Sequence, residues 1–124
     1  MQHDVLADCF SAIKNAERIG KNTCFTPVSN LIKNILEVMK NSGYINGFEK
    51  VGRKFEVKLN HKINDCNVIK PRVSFKKDEI EKWEKRYLPA RSFGILIVST
   101  PRGITTHEKA KEMNQGGKLL GYVY

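Results

Sequence analysis

A chain of 124 residues, 40% apolar and 28% charged, has the length of one compact unit or of two very small lobes sharing a core, which excludes a large multidomain enzyme. With 22 Lys and Arg against 13 Asp and Glu it carries a formal charge of +9, and the excess is three positive charges in residues 1–60 and six in residues 61–124. The longest apolar run, Phe93–Val98, falls far short of the roughly 20 residues of a membrane span, the amino terminus has no signal-peptide pattern, and the chain reads as cytosolic.

A basic balance in both halves favours a polyanionic partner, because each Lys or Arg that neutralises a phosphate releases condensed counterions. Nucleic acid is therefore the expected partner, and a merely soluble basic surface is the bland alternative. Cys9, Cys24 and Cys66 are odd in number and widely spaced, with no CxxC or Cys/His pairing, so they are expected to be small buried apolar residues in a reducing compartment. His3, His61 and His107 are equally scattered and read as surface or capping residues; no metal or cofactor is expected.

In chain order, Val5, Leu6, Cys9, Phe10 and Ile13 recur at helical spacing behind Asp4, a suitable N-cap, and predict a helix to about Arg18 that Gly20 ends. Its polar face carries Ser11, Lys14, Asn15 and Arg18. Thr23 to Thr26 reads as a short strand. After Pro27, the stripe Val28, Leu31, Ile32, Ile35, Leu36, Met39 predicts a second helix, closed by Gly43. Lys33, Asn34 and Lys40 lie off that stripe, on a face that is either simply solvated or in contact with RNA. Tyr44–Phe48 and Phe55–Leu59 read as strands joined near Gly52.

Val68 to Phe75 is expected to be extended, since Pro71 fits neither a helix interior nor a central strand. Ile80, Trp83 and Tyr87 mark a short helix that Pro89 stops. Trp83, on that helix's only apolar stripe, reads as an anchor at the lobe boundary rather than as a base-stacking platform. Phe93–Val98 is expected to be a buried strand, Thr106 to Gln115 a short helix, and Lys118 to Tyr124 a closing strand. The resulting expectation is an α+β fold of two small lobes, an amino-terminal α/β lobe over residues 1–61 and a mostly β lobe over residues 62–124.

The most informative stretch is Ser99-Thr100-Pro101-Arg102-Gly103-Ile104-Thr105-Thr106-His107-Glu108. Two hydroxyls leave a buried strand, Pro101 presets a turn, Gly103 permits close backbone approach, and a helix then begins with free N–H groups. Hydroxyls can meet a ribose 2′-OH or a base edge, and Arg102 supplies charge and a planar fork. Thr105 and Glu108 also fit a capping box, so the same stretch can be read as a helix cap.

With Asp4-Val5-Leu6-Ala7-Asp8, Ile13-Lys14-Asn15-Ala16, Gly43-Tyr44-Ile45, Ile69-Lys70-Pro71-Arg72, the run Glu81 to Arg91, Phe93 to Thr100 and Gly116 to Tyr124, the chain resembles over essentially its whole length the universal small-subunit ribosomal protein family number eight. The Trp83 segment and the Tyr122-Val123-Tyr124 ending look archaeal or eukaryotic rather than bacterial. The resemblance implies a two-lobed protein that clamps a helix in the central domain of small-subunit rRNA and helps assemble the platform. It implies a Ser-Thr-x-x-Gly loop in the RNA minor groove, here Ser99, Thr100, Arg102, Gly103, Thr105 and Thr106. It further implies backbone contacts from Lys14, Asn15 and Lys33, and another contact segment at Lys70, Pro71 and Arg72. Pro101 stands where the family usually has serine, and Thr105 where it usually has methionine, which leaves open whether Thr105 or Thr106 caps the following helix. The partners so implied are small-subunit rRNA, neighbouring ribosomal proteins and the protein's own messenger RNA, bound by a monomer.

Two rival classes carry different signatures. An enzyme holding a phosphorylated small molecule on the same loop would need companions that are missing: no Gly-x-Gly-x-x-Gly, Walker-type lysine or Gly-x-Ser-x-Gly is present. A general RNA chaperone would bind by charge without sequence preference.

Overall fold

Helix α1 (Val5–Arg18) buries Leu6, Cys9, Phe10, Ile13 and Ala16, the stripe that helical spacing demands. It ends at Gly20, whose φ of 77° lets Lys21 N–H reach Ala16 O at 2.9 Å and Gly20 N–H reach Glu17 O at 3.2 Å, closing the last turn. This computed structural model describes residues 5–69, 73–90 and 93–124; Asp4, read above as the cap of α1, and Lys70, Pro71 and Arg72 lie outside them.

Strand β1 (Thr23–Pro27) leads into α2 (Asn30–Asn41), which buries Ile32, Ile35, Leu36 and Met39. The helix starts later than its apolar pattern suggested. Ser29 is extended and its Oγ accepts the Ile32 N–H at 3.1 Å, so Val28 stays outside the helix and is exposed. Strands β2 (Ile45–Val51) and β3 (Lys54–Leu59) form an antiparallel hairpin through Gly52 and Arg53. Gly52, at φ 63°, takes the first central position of that two-residue turn. The sheet order is β1-β3-β2, with α1 on β1 and α2 on β2. Cys9, Cys24 and Cys66 are all buried and free, as expected. Burial pushes their thiols up, Cys24 to about 11 and Cys66 to about 12, which makes them poor nucleophiles.

This first unit extends to Asn67 and the second begins at Val68, beyond the division read at residue 61. Side chains after His61 still belong to the first core. Ile63 is buried and its N–H donates to Glu17 Oε2 at 3.0 Å, Lys14 Nζ lies 3.0 Å from Asp65 Oδ1, and the Cys66 thiol points at Phe10 O at 3.6 Å. The three-residue strand β4 (Cys66–Val68) runs across the division.

In the second unit, β5 (Ser74–Phe75) precedes a 3₁₀ turn at Lys77–Glu79 and α3 (Ile80–Tyr87). Strands β6 (Ile95–Thr100) and β7 (Gly103–Thr106), the short helix α4 (His107–Glu112) and β8 (Gly117–Val123) complete it. β8 pairs antiparallel with both β5 and β6, and β6 pairs antiparallel with β7. Ile69, Phe75, Ile80, Trp83, Leu96 and Leu119 lie in its core, so Trp83 anchors the second unit's own interior. Helices and antiparallel sheets together make the fold α+β. The buried strand starts at Ile95 rather than Phe93, a residue that is 48% exposed. The helix read over Thr106 to Gln115 is six residues long: Thr106 ends β7 and caps the helix, and at the other end Asn114 turns left-handed at φ 54°, letting Gln115 N–H close on Ala110 O at 2.9 Å.

Candidate nucleic-acid interface

The Ser99–Thr106 stretch is a β-hairpin whose turn is Pro101 and Arg102. Pro101 suits the first central position through its fixed φ, and Gly103 follows at φ 118°, a conformation only glycine adopts without strain. The Thr100 hydroxyl donates to Gly103 O at 2.9 Å and accepts the Arg102 N–H at 3.2 Å, and the residue is 8% exposed. That hydroxyl holds the turn. It is therefore less available to a ligand than its place in the sequence suggested.

Side chains alternate across a strand, so Ser99 and Thr100 face opposite ways. Ser99 stands opposite Ile104 on β7 and Lys118 on β8, and those three share one face. Thr105 lies opposite Val98 on the other face. Half-exposed Ser99 has no hydrogen-bond partner for its hydroxyl among the described residues, and Lys118 and Arg102 are exposed. The strand approach that creates this arrangement depends on Gly117, since a Cβ there would collide with the Ser99 carbonyl. Lys118 was not legible as a site residue; only the β6–β8 register brings it beside Ser99.

Thr106, not Thr105, caps α4: its backbone is extended and its Oγ1 accepts the Lys109 N–H at 3.3 Å. The third helical residue is then Lys109, so the Thr105/Glu108 capping box does not form. His107 likewise departs from its expected surface or capping role. It is 1% exposed, its Nδ1 accepts the Leu96 N–H at 3.0 Å, and its Nε2 faces Glu84 Oε1 at 3.3 Å. An imidazole accepting at Nδ1 carries its proton at Nε2, which donates to the carboxylate. Burial holds the imidazole below its usual value, against the pull of Glu84.

On the first unit, Lys14 and exposed Asn15 lie on the polar face of α1, but Lys14 is engaged by Asp65. Lys33 projects from the exposed face of α2 into a groove of about 720 Å³, whose other walls include Phe48 and Lys50. Ser99, Arg102, Gly103, Thr105 and Thr106 are thus gathered in one hairpin, while Lys14, Asn15 and Lys33 are distributed over two helices of the other unit. Among the described residues no group of three or more His, Cys, Asp or Glu could hold a metal ion, and no helix is long and apolar enough to cross a membrane.

An α+β protein with a basic surface and a hydroxyl-bearing hairpin flanked by lysine and arginine belongs to the class that nucleic-acid-binding proteins occupy. A family model described as Ribosomal protein S8 matches residues 4–124. The chain is 52% identical to small ribosomal subunit protein uS8 of Archaeoglobus fulgidus and 50% identical to that of Picrophilus torridus, in both cases over all of either chain. It is 49% identical to the uS8 of Methanococcoides burtonii over 98% of this chain and 97% of the relative. The chain belongs to the ribosomal protein S8 family.

Proposed function

We propose that this chain is a non-enzymatic structural constituent of the small ribosomal subunit in the cytoplasm, where it binds small-subunit rRNA and packs against neighbouring ribosomal proteins. The carrying observation is the β6–β7 hairpin. It offers an unpartnered Ser99 hydroxyl beside Lys118 on rigid strands, with Arg102 exposed at the turn. Such a surface suits a shallow A-form minor groove, where hydroxyls meet 2′-OH groups and cations meet the flanking phosphates. Lys14, Asn15 and Lys33 supply backbone contacts from the first unit, and Lys70, Pro71 and Arg72 a further contact. The RNA is a helix of the central domain, the protein acts as a monomer, and its binding supports platform assembly. Its own messenger RNA is a second ligand where it mimics that helix.

The test is to sequence RNA co-purifying with the native protein and to titrate the enriched fragment at several salt concentrations. The expected result is small-subunit rRNA, with log K falling by about 0.7 to 0.9 per phosphate contact per unit of log salt. Equal competition by unrelated RNA would instead indicate a general RNA chaperone.

A further inference from the structure

Five aromatic rings of the second unit form a continuous row. Trp83 lies 6.2 Å from Tyr87, Tyr87 5.8 Å from Tyr122, Tyr122 5.9 Å from Tyr124, and Tyr124 6.4 Å from Phe93, measured between centroids. The first three pairs are stacked within 13–23°. The row begins in the core at Trp83 and emerges at Phe93, which is 48% exposed. Its emergence is built into the backbone: Gly94, at φ 93°, lies so close to β8 that a Cβ there would stand 2.6 Å from Tyr124 Cβ and 2.7 Å from Val123 O. That contact seats Phe93 against Tyr124.

Cations accompany the row. Lys82 Nζ is 5.1 Å from the Trp83 ring centroid, and Arg86 Cζ is 5.6 Å from those of both Trp83 and Tyr87. The carboxylates of α3 are engaged elsewhere, Glu84 with His107 at 3.3 Å and Glu81 with Lys111 at 3.1 Å. Exposed Lys82, Lys85 and Arg86 have no ion-pair partner among the described residues. With three cations against two carboxylates α3 keeps a net positive charge, and its Lys82 and Arg86 sit at the Trp83–Tyr87 end of the row.

We propose that this strip is a second RNA-binding surface, which takes unpaired nucleotides. It rests on the rRNA-binding reading above and adds single-stranded RNA to the helical RNA assigned to the hairpin. Bases stack on exposed Phe93, beside half-buried Tyr124, and on the Arg86 guanidinium, and phosphates meet Lys82 and Lys85. An exposed aromatic ring at one end of the row and cations at the other suit a single strand, because every base has a π face, whereas a duplex hides its bases. The net positive charge of α3, with Lys82, Lys85 and Arg86 exposed, favours a polyanion over an uncharged apolar peptide.

The probe is an oligoadenylate of about eight nucleotides, within the span of known single-strand sites, compared with the co-purifying structured rRNA fragment. Phe93→Ser changes an exposed ring and should keep the melting temperature. It should weaken oligoadenylate binding about tenfold or more, with a much smaller effect on the structured fragment. Lys85→Gln should lower the salt slope for the oligonucleotide by about one, and ultraviolet cross-links from the wild type should map to Phe93 or Tyr124. Undiminished oligoadenylate binding by folded Phe93→Ser, or cross-links confined elsewhere, overturns the strip while leaving the rRNA reading intact. Failure of the wild type to bind the structured fragment defeats the rRNA reading itself. Protection of Phe93 by an acidic ribosomal protein but not by RNA overturns the proposal in favour of protein docking.

Discussion

The Thr100 hydroxyl donates to the Gly103 carbonyl across the hairpin turn at 2.9 Å and accepts the Arg102 N–H from within it. Ser99, one residue earlier, has no such commitment. The two hydroxyls should therefore separate experimentally. Thr100→Val should lower stability by about 0.5 to 1.5 kcal/mol and weaken RNA binding only through a loosened turn. Ser99→Ala should leave the melt unchanged and weaken cognate RNA binding at constant salt slope. Thermal melts beside filter-binding titrations distinguish the two patterns; unchanged affinity of folded Ser99→Ala would remove Ser99 from the interface.

Lys14 and Lys33 differ in the same way. Lys33 has no ion-pair partner among the described residues, whereas Lys14 is held 3.0 Å from Asp65 in a partly exposed pair. Lys33→Ala should reduce the salt slope by about one and leave stability alone. Lys14→Ala should reduce the slope equally and also lose up to about 1 kcal/mol, the upper range for such pairs. A stability loss without any change in affinity would make Lys14 purely structural.

The cap assignment is tested at adjacent threonines. Thr106 Oγ1 accepts the Lys109 N–H, while Thr105 lies across from Val98 within the β ladder. Thr106→Ala should cost about 1 kcal/mol, and Thr105→Ala should not reproduce the loss of a cap. Amide exchange at Lys109 is the direct readout, faster in the Thr106 variant only.

Helices α1 and α2 were legible because one stripe of apolar residues and one terminal glycine each define them locally. The hairpin was not. Thr105, Thr106 and Glu108 present two overlapping capping patterns, and nothing local tells that Gly103–Thr106 first completes a strand. That Ser99 faces Lys118 depends on pairing with a distant strand and on the register shift between Ile97 and Val98. A one-residue change in register would send Ser99 to the other face. The buried place of His107 is hidden for a similar reason, since its partners Leu96 and Glu84 come from two other elements, β6 and α3. Likewise, the division of the two units was placed early because the ties of Ile63, Asp65 and Cys66 to α1 are tertiary.

Gly117→Ala should be far more damaging than an ordinary glycine substitution in a strand. The added Cβ would collide with the Ser99 carbonyl and lie 3.3 Å from Thr100 Cα, both backbone atoms that cannot rotate away. Relief requires β6 and β8 to separate, at a cost of about 1 to 3 kcal/mol for overpacking, and displaces Ser99 from Lys118. Both the melting temperature and cognate RNA affinity should fall, whereas Gly103→Ala, with open space around its Cβ but a φ of 118°, should strain only the turn.

The buried His107 makes stability depend on pH in a definite direction. Desolvation lowers its pKa below the ordinary value of 6.5, and protonating Nδ1 would break the bond from Leu96 N–H, while Glu84 only partly offsets the burial. Between the depressed folded value and 6.5 the unfolded chain binds more protons than the folded one, so stability rises with pH through that window. The contribution is complete above 6.5, is lost as pH falls toward the folded value, and levels off below it. His107→Asn keeps an acceptor for Leu96 but cannot titrate. Chemical denaturation of both proteins from pH 5 to 8 should give a wild type that loses stability on acidification faster than the variant. Parallel curves would show that the Glu84 pair fully offsets burial and leaves the folded pKa unshifted, and a wild type that loses stability more slowly than the variant would show the pair outweighing burial.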